Sequence, residues 1–377
     1  MDARKLRRIK NNIRTCLTGQ YVEGEIELDM LSKEALKRIS HTKIRKIIKE
    51  KQFPPLSAEE KAEVDQIYKG YPFFTYDYHR VFKGLTGKFY PDYMPEDLYY
   101  CYIEDSFSDK EASRYIDNKC YYPRIFPTLK QPEPVIFRMG GVWLDTEYRP
   151  LSSKEVLNTL AQCKGDLIMK IAENSERSGG VFLLKEKERM DAFRKNIKKI
   201  PRDLDVIVQK VIRQHMDYAV LNPGSVNAYR VITYLNDKTN EVEILKLNIR
   251  IGIDDTISNT GGRGGVLAGV DPDGRLKPFT YGLDGTQYTK HPVYDYNFGD
   301  ITVPYADRII EYVKKGHPMV SRFKIISWDI GIDEAGDPVL MEVNLTMSGI
   351  FYNQLVDGPL FGGKTTTKEI LKKVFKK

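Results

Sequence analysis

Residues 323–344 read FKIISWDIGIDEAGDPVLMEVN. Two apolar runs of alternating pattern flank an acidic turn at Ala335-Gly336, which marks a β-hairpin. Alternation puts Ile326, Trp328, Ile330 and Ile332 on one face, joined there by Val339, Met341 and Val343 of the second strand. The opposite face then carries Asp329, Glu342 and Asn344. With a two-residue loop Glu334 pairs with Asp337, so Asp329 stands opposite Glu342 in a non-hydrogen-bonded pair, Cβ atoms roughly 4.5–5.5 Å apart. Pro338 falls opposite Asp333, where the ladder asks for no N–H. Two carboxylates that close repel unless a cation or a proton lies between them. Three oxygen ligands on a rigid hairpin suit Mg²⁺ shared with substrate phosphates, and the competing reading is a solvated acidic face. Gly331, beside Asp329, leaves space above the strand for another group to approach.

A chain of 377 residues, 41% hydrophobic, can bury a large core in two or three domains. No run of about 18 apolar residues suggests a spanning helix, and the start, MDARKLRRIKNNIR, has no apolar signal region, so the cytoplasm is the expected compartment. Cys16, Cys101, Cys120 and Cys163 form no CxxC pair and the five histidines show no ligand spacing with them, which speaks against zinc and disulfides. The net charge of +7 concentrates at the ends, in Arg4, Lys5, Arg7, Arg8, Lys10 and Arg14 and in Lys368, Lys372, Lys373, Lys376 and Lys377. Such ends are usually solvated helix faces and less often attract an anionic membrane or nucleic acid.

Helices with basic outer faces are expected at Arg4 to Leu17 and Lys33 to Lys51, and a third opens on the capping box Ser57 to Glu60. These basic helices are expected to be dispensable for ligand binding. The aromatic, proline-bearing run from Tyr71 to Tyr100 reads as a packed irregular segment or substrate wall. A second capping box, Ser108 to Glu111, opens a helix that ends at about Asn118 and delivers Lys119; a hairpin turns at Gly140-Gly141; a third box, Ser152 to Glu155, starts a helix to Cys163.

DLIMKIAENSERSGGVFLL, residues 166–184, is a strand ending in Lys170, a loop with Ser175, Ser178, Gly179 and Gly180, and a second strand. Small residues let backbone N–H groups approach phosphate, and a lysine at the strand end can neutralise it, although an ordinary glycine hairpin reads the same way. No GKS/T opens a helix, so this is not a P-loop. Strands are expected at Asp205 to Ile212, Ser225 to Leu235 and Glu243 to Ile253. The latter two carry Arg230 and Arg250, which either snorkel outward or point into an anion-holding cleft. Glycines surround Arg263 in ISNTGGRGGVLAGVDPDGRL, residues 257–276, read as a loop lying against a ligand or on the surface.

With these pieces in place, the sequence resembles the ATP-grasp superfamily, and within it the branch associated with sugar transfer and surface polysaccharide, over roughly Ser106 to Gly363. Its most specific element is Asp329 followed at thirteen residues by Glu342 and two later by Asn344, matching the family's Mg²⁺ ligands. The resemblance places Lys119 and Lys170 on the nucleotide phosphates with Ser175, Ser178, Gly179 and Gly180, and Gln209, Lys210 and Val211 at the adenine hinge. Gln209 stands where glutamate is common. Ser327 stands where many members carry a phosphate-stabilising arginine, leaving Arg230, Arg250 or Arg263 to supply that charge.

The implied fold is α+β, two antiparallel-sheet subdomains clasping a nucleotide, with a helical N-terminal extension. Its expected divisions are 1–105, a linking segment 106–165, a small subdomain 166–212 and a large one 213–377. The implied cofactors are ATP and Mg²⁺. The implied reaction is carboxylate–amine ligation through an acyl phosphate, on a small-molecule or sugar-linked carboxylate with an amine acceptor, in surface polysaccharide or glycoconjugate modification. A kinase acting on a hydroxyl and a non-catalytic nucleotide-binding scaffold are the alternatives. A glycosyltransferase or a membrane surface is a further suggested partner, and no nucleic acid is expected.

Overall fold

The computed structural model describes residues 32–173, 180–253, 265–282 and 285–376. The strands are β1 (Pro134–Met139), β2 (Val142–Leu144), β3 (Leu167–Ile171), β4 (Val181–Leu184), β5 (Val206–Lys210), β6 (Ala228–Asn236), β7 (Glu241–Gly252), β8 (Gly265–Val270), β9 (Leu276–Gly282), β10 (Gln287–Tyr288), β11 (Ile325–Ile332) and β12 (Pro338–Asn344). They form two antiparallel sheets, in the orders β2-β1-β5-β3-β4 and β10-β9-β8-β7-β6-β11-β12. The β1–β2 hairpin turns on Gly140 and Gly141, both at positive φ (55° and 84°), as a two-residue primed turn requires. It pairs through β1 with β5, so the small sheet draws strands from both sides of residue 166.

Each sheet has its own core. Helices Ser153–Gln162 and Arg189–Ile197 bury Val156, Leu160 and Phe193 against β3 and β5 of the small sheet. The first of these starts on the complete capping box of Ser152 and Glu155, and the box at Ser57 and Glu60 is complete as well. At Ser108 the expectation fails by one residue: the cap is Asp109, which accepts from Ala112 N–H, and the helix is Lys110–Ile116. An ionised carboxylate is at least as good a cap as a hydroxyl, and adjacent cap residues are hard to rank from sequence.

On one face of the large sheet Trp328, Ile330 and Ile332 pack with the helix Ala306–Gly316. Gly316 is required there, because a Cβ would come within 3.0 Å of the Trp328 ring. Beneath the strand the Trp328 indole donates to Thr233 Oγ1 at 2.8 Å, and Thr233 meets His317 Nδ1 at 2.7 Å, so these three buried polar groups satisfy one another. The opposite face is shared. At one end it carries Arg230, Ser327 and Asp329. At the other, Ile232, Tyr234 and Ile325 pack with Ala35, Leu36, Val64 and Ile67 of the helices Lys33–Lys51 and Ala58–Tyr68, and with Ile370 and Leu371 of the helix Lys364–Phe375.

The N-terminal helical extension therefore shares a core with one end of the large sheet. Each Leu, Ile or Val buried there contributes about 1.5–3 kcal/mol, so deleting the first fifty residues would uncover the sheet. The expected helix at Arg4 to Leu17 lies outside the described residues. The run 257–276, expected to be a loop, is strand β8 from Gly265 onward, followed by a turn with Gly274 at φ 87° and by β9. Its glycines masked the pattern: Val266 and Ala268 face the core, and a Cβ on Gly269 would meet Lys277 and Asp357 within 3 Å.

Candidate active site

The hairpin β11–β12 pairs Asp329 with Glu342, as expected, but by a different route. At the turn Ile332 pairs with Pro338, and Asp333 N–H donates to Asp337 O at 3.1 Å, so the loop is Glu334 to Gly336, with Gly336 at φ 79°. That is one residue longer than the two-residue reading. A β-bulge between Asp329 and Ile330 then absorbs one residue and restores the register. The bulge also changes the faces: Leu340 pairs with Ile330 and joins Val343 in the core, while Met341 turns to the side of Gly331. The space over Gly331 is therefore taken, since a Cβ there would lie 3.2 Å from Met341 Sδ and from Val226 Cγ1. The edge of β12 is covered: Val343 N–H donates to the Tyr122 hydroxyl at 2.9 Å, and Leu340 N–H to Lys130 O at 2.9 Å.

Protein cations sit on both carboxylates. Arg230, directly across from Asp329 on β6, donates from Nη2 to Asp329 Oδ2 at 2.8 Å and from Nη1 to Ser327 Oγ at 3.1 Å, with Nε 2.6 Å from Oδ1. Its guanidinium thus reaches over Ser327 from the neighbouring strand. Arg250, on β7, lies 3.7 Å from Asp329 Oδ2. Lys119 Nζ donates to Glu342 Oε1 at 2.6 Å; the lysine side chain is 5% exposed and the glutamate 35%. Lys119 is held by its backbone, for Asn118 caps the 3₁₀ turn Lys119–Tyr121 and Lys119 N–H bonds Ala172 O at 2.9 Å.

The electrostatics follow from that crowding. Desolvation raises the Glu342 pKa, but Lys119, Lys170 and Arg230 together outweigh it and hold the carboxyl below its usual range. Lys170 falls to about 7, chiefly through burial and then through repulsion by Lys119, with Glu342 opposing. Burial and the neighbouring Arg230 lower Arg250 to about 10, against the pull of Asp329 and Glu342. Four cationic side chains face two carboxylates, which is a surplus suited to a polyanion.

Between the sheets runs a cleft lined by Lys119, Lys170, Ile207 and Gln209 on one side and by Leu340 and Met341 on the other. Tyr122 joins the lining. Sequence reasoning missed Ile207, Met341 and Tyr122. Met341, next to Glu342, was hidden by the bulge, and Tyr122 by the short helical turns around it. Gln209 is buried in the lining, whereas Lys210 is exposed and pairs with Glu133 at 2.8 Å. Lys210 N–H bonds Glu133 O, and Val211 N–H bonds Asp166 O at 3.3 Å, so neither amide of this pair is spare. Gly180 lies at the end of β3, where its carbonyl accepts from Ile171 N–H. Ser175, Ser178, Gly179 and Arg263 lie outside the described residues.

Asp329, Glu342 and Asn344 bring only oxygen donors to one face, which fits a hard divalent cation such as Mg²⁺. Asp329 Oδ1 is buried with Arg230 Nε 2.6 Å away, so a cation bound there would share the carboxylate with that guanidinium. Asn344 donates from Nδ2 to Ser327 O at 3.3 Å, which sets its amide plane.

No curated protein matches the chain in sequence. Among solved structures, it is similar to a D-alanyl-alanine synthetase A from Vibrio cholerae at 12% identity and TM-score 0.44, covering 72% of this chain and 68% of that one. It is similar to the VanG D-Ala:D-Ser ligase from Enterococcus faecalis at 14% and 0.43, covering 71% and 64%, and to an L-amino acid ligase from Bacillus licheniformis at 13% and 0.39, covering 92% and 61%. The family described as sugar-transfer associated ATP-grasp matches residues 165–369, a span running from just before β3 past the hairpin β11–β12 and taking in more than half of the chain. The protein belongs to the sugar-transfer associated ATP-grasp family.

Proposed function

We propose that the protein is an ATP-dependent ligase that activates a carboxylate as an acyl phosphate and passes it to an amine. The observation that carries this reading is the convergence of Lys119, Lys170, Arg230 and Arg250 on the Asp329–Glu342 pair at the cleft between the sheets. Phosphoryl transfer asks for positioning and charge neutralisation rather than a protein nucleophile, and these groups supply both. Ile207, Leu340 and Met341 form an apolar slot for the base, beside Gln209. Lys119 and Lys170 neutralise phosphate, and Arg230, reaching over Ser327, serves the transferred group. Asp329, Glu342 and Asn344 would hold Mg²⁺, which when bound spreads the charge developing on the phosphates.

Binding would rearrange the ion pairs. Lys119 leaves Glu342 for phosphate, and the carboxylate it frees becomes a metal ligand, so in the empty cleft each carboxylate is held by a protein cation. The family's description supports a sugar-linked substrate, in polysaccharide or glycoconjugate modification.

The test is a product assay with ATP, Mg²⁺ and mixed carboxylate and amine candidates. ADP and phosphate released only when an amine is present support ligation. A stable phosphorylated product without phosphate release would replace it with a kinase, and ATP binding without turnover under every substrate combination would replace it with a scaffold.

A further inference from the structure

The loop 345–349 that follows Asn344 is held in an unfavourable shape by residues some 250 positions earlier. Met347 has φ 54° and Gly349 φ 70°. The left-handed region is costly for a side chain as large as methionine and persists only where its surroundings enforce it. The helix Ile350–Asp357 then begins at Gly349 with no capping side chain of its own. Its first amides are satisfied from the N-terminal region: Gly349 and Ile350 N–H donate to the Tyr100 hydroxyl at 3.1 and 3.3 Å. The neighbouring Tyr99 hydroxyl donates to Ser348 Oγ at 3.3 Å. One turn further on, Gln354 clamps Met94, accepting from its N–H at 2.8 Å and donating to its carbonyl at 2.9 Å.

Both tyrosines stand on a π-helical turn, Tyr99–Ile103, in which Glu104 N–H reaches back to Tyr99 O. Such widened turns cost helical stability and recur at functional sites. Here the turn places two consecutive buried rings edge to face, 5.2 Å apart, with both hydroxyls on the same loop. The N-terminal region contributes none of its own residues to the cleft lining given above, yet it controls the segment joining the last ligand residue of β12 to the next helix.

We infer that Tyr100 is a positioning residue that fixes loop 345–349 and through it the Asn344 end of the Mg²⁺ site. The inference rests on the proposed function for the identity of the ion. Tyr100→Phe removes the acceptor of two helix-start amides and lets Met347 leave its left-handed conformation, so Asn344 loses its anchor on one side.

The experiment compares wild type, Tyr100→Phe and Tyr68→Phe. Tyr68 is a buried tyrosine of the same core whose hydroxyl bonds the carbonyls of Tyr93 at 2.9 Å and Asp92 at 3.2 Å rather than the amides of the loop, so it controls for loss of a buried hydroxyl alone. Amide exchange in the metal-free protein is read over residues 345–352, and affinity for a non-hydrolysable ATP analogue is read with and without Mg²⁺. In Tyr100→Phe exchange should accelerate about tenfold or more over that segment, because two amides lose their acceptor. The Mg²⁺ concentration needed for analogue binding should rise several-fold, with metal-free affinity unchanged, and Tyr68→Phe should do neither. Tyr100→Phe behaving as Tyr68→Phe does, or losing analogue affinity equally with and without Mg²⁺, overturns the inference. If wild-type binding ignores Mg²⁺, the proposed function falls and the metal half of the inference with it, while the exchange result still decides whether the loop is held.

Discussion

Two lysine–carboxylate clusters lie on the same face of the large sheet and behave oppositely. At the cleft, Glu342 is paired to Lys119, with Lys170 and Arg230 nearby, and its carboxyl is held below the usual range. At the other cluster Asp357 pairs with Lys277, and Lys246 donates to Pro359 O at 2.8 Å and to Asp357 O at 3.3 Å. There burial dominates, so the Asp357 carboxyl is raised in spite of its two lysines, and Lys246 is lowered to about 8 by burial. The second cluster is closed, its ammonium group spent on the carbonyls that end the helix Ile350–Asp357, with Asn248 and Asn353 joined at 2.7 Å beside it. Both clusters hold two cations per carboxylate, but in the first Lys119 and Lys170 line the cleft between the sheets, whereas in the second Lys246 is spent on backbone carbonyls. Charge capped by backbone carbonyls serves the fold, and charge lining a cleft is placed to serve a ligand.

That contrast is open to direct test. Glu342→Gln should lower ATP turnover by about 10²–10³, the usual cost of losing an electrostatic element of phosphoryl transfer. On two carboxylates alone, losing one charge would relieve repulsion and leave the nucleotide-free protein level or more stable. With Lys119 buried on Glu342, the expectation reverses: melting without nucleotide should show a loss of about 1–3 kcal/mol, because a buried ammonium loses its partner. The depressed Glu342 pKa gives the sign of the pH dependence. Its stabilisation is present above the unfolded carboxyl's pKa and disappears as pH falls through the lower folded value, so wild type and variant should converge in acid.

Asp357→Asn should do the opposite at the closed cluster, costing about 1–3 kcal/mol in thermal or denaturant unfolding while turnover per folded molecule stays near wild type. A drop in turnover without a drop in stability would erase the distinction between the clusters. A smaller effect should appear in binding. Lys170, near 7 when the cleft is empty, gains charge when phosphate arrives, so nucleotide affinity should be flat below pH 7 and fall by up to about tenfold per unit above it. Lys170→Arg should flatten that profile. The smallest effect is expected at Lys210→Ala, an exposed pair with Glu133, with less than about 0.5 kcal/mol in stability and no change in nucleotide affinity.

The site was legible where strand alternation carried it. Asp329 and Glu342 share a face as alternation predicts, and Arg230 and Arg250, for which the sequence leaves outward snorkelling and a cleft both open, turn to Asp329. The Asp329–Glu342 pairing was right for a partly wrong reason: a longer turn and a bulge, each a shift of one residue, cancel. Bulges depend on local twist and neighbours across the sheet, which no single strand's sequence contains. Met341 was assigned to the core for the same reason. In the N-terminal region, aromatic density pointed to packing but not to its partner, because Tyr99 and Tyr100 meet a loop from the far end of the chain.

That distance matters during synthesis. The Met94–Gln354 clamp joins residues 260 apart, and Ala35 and Leu36 share a core with Leu371. At elongation rates of about 5–20 residues per second, Leu36 waits roughly 17–67 s for the Leu371 that completes its packing. Through that interval Ala35, Leu36, Val64 and Ile67 can meet Leu98 and Tyr99 but not Ile232, Ile325 or Ile370, so this part of the core stays half-built until the chain is nearly finished.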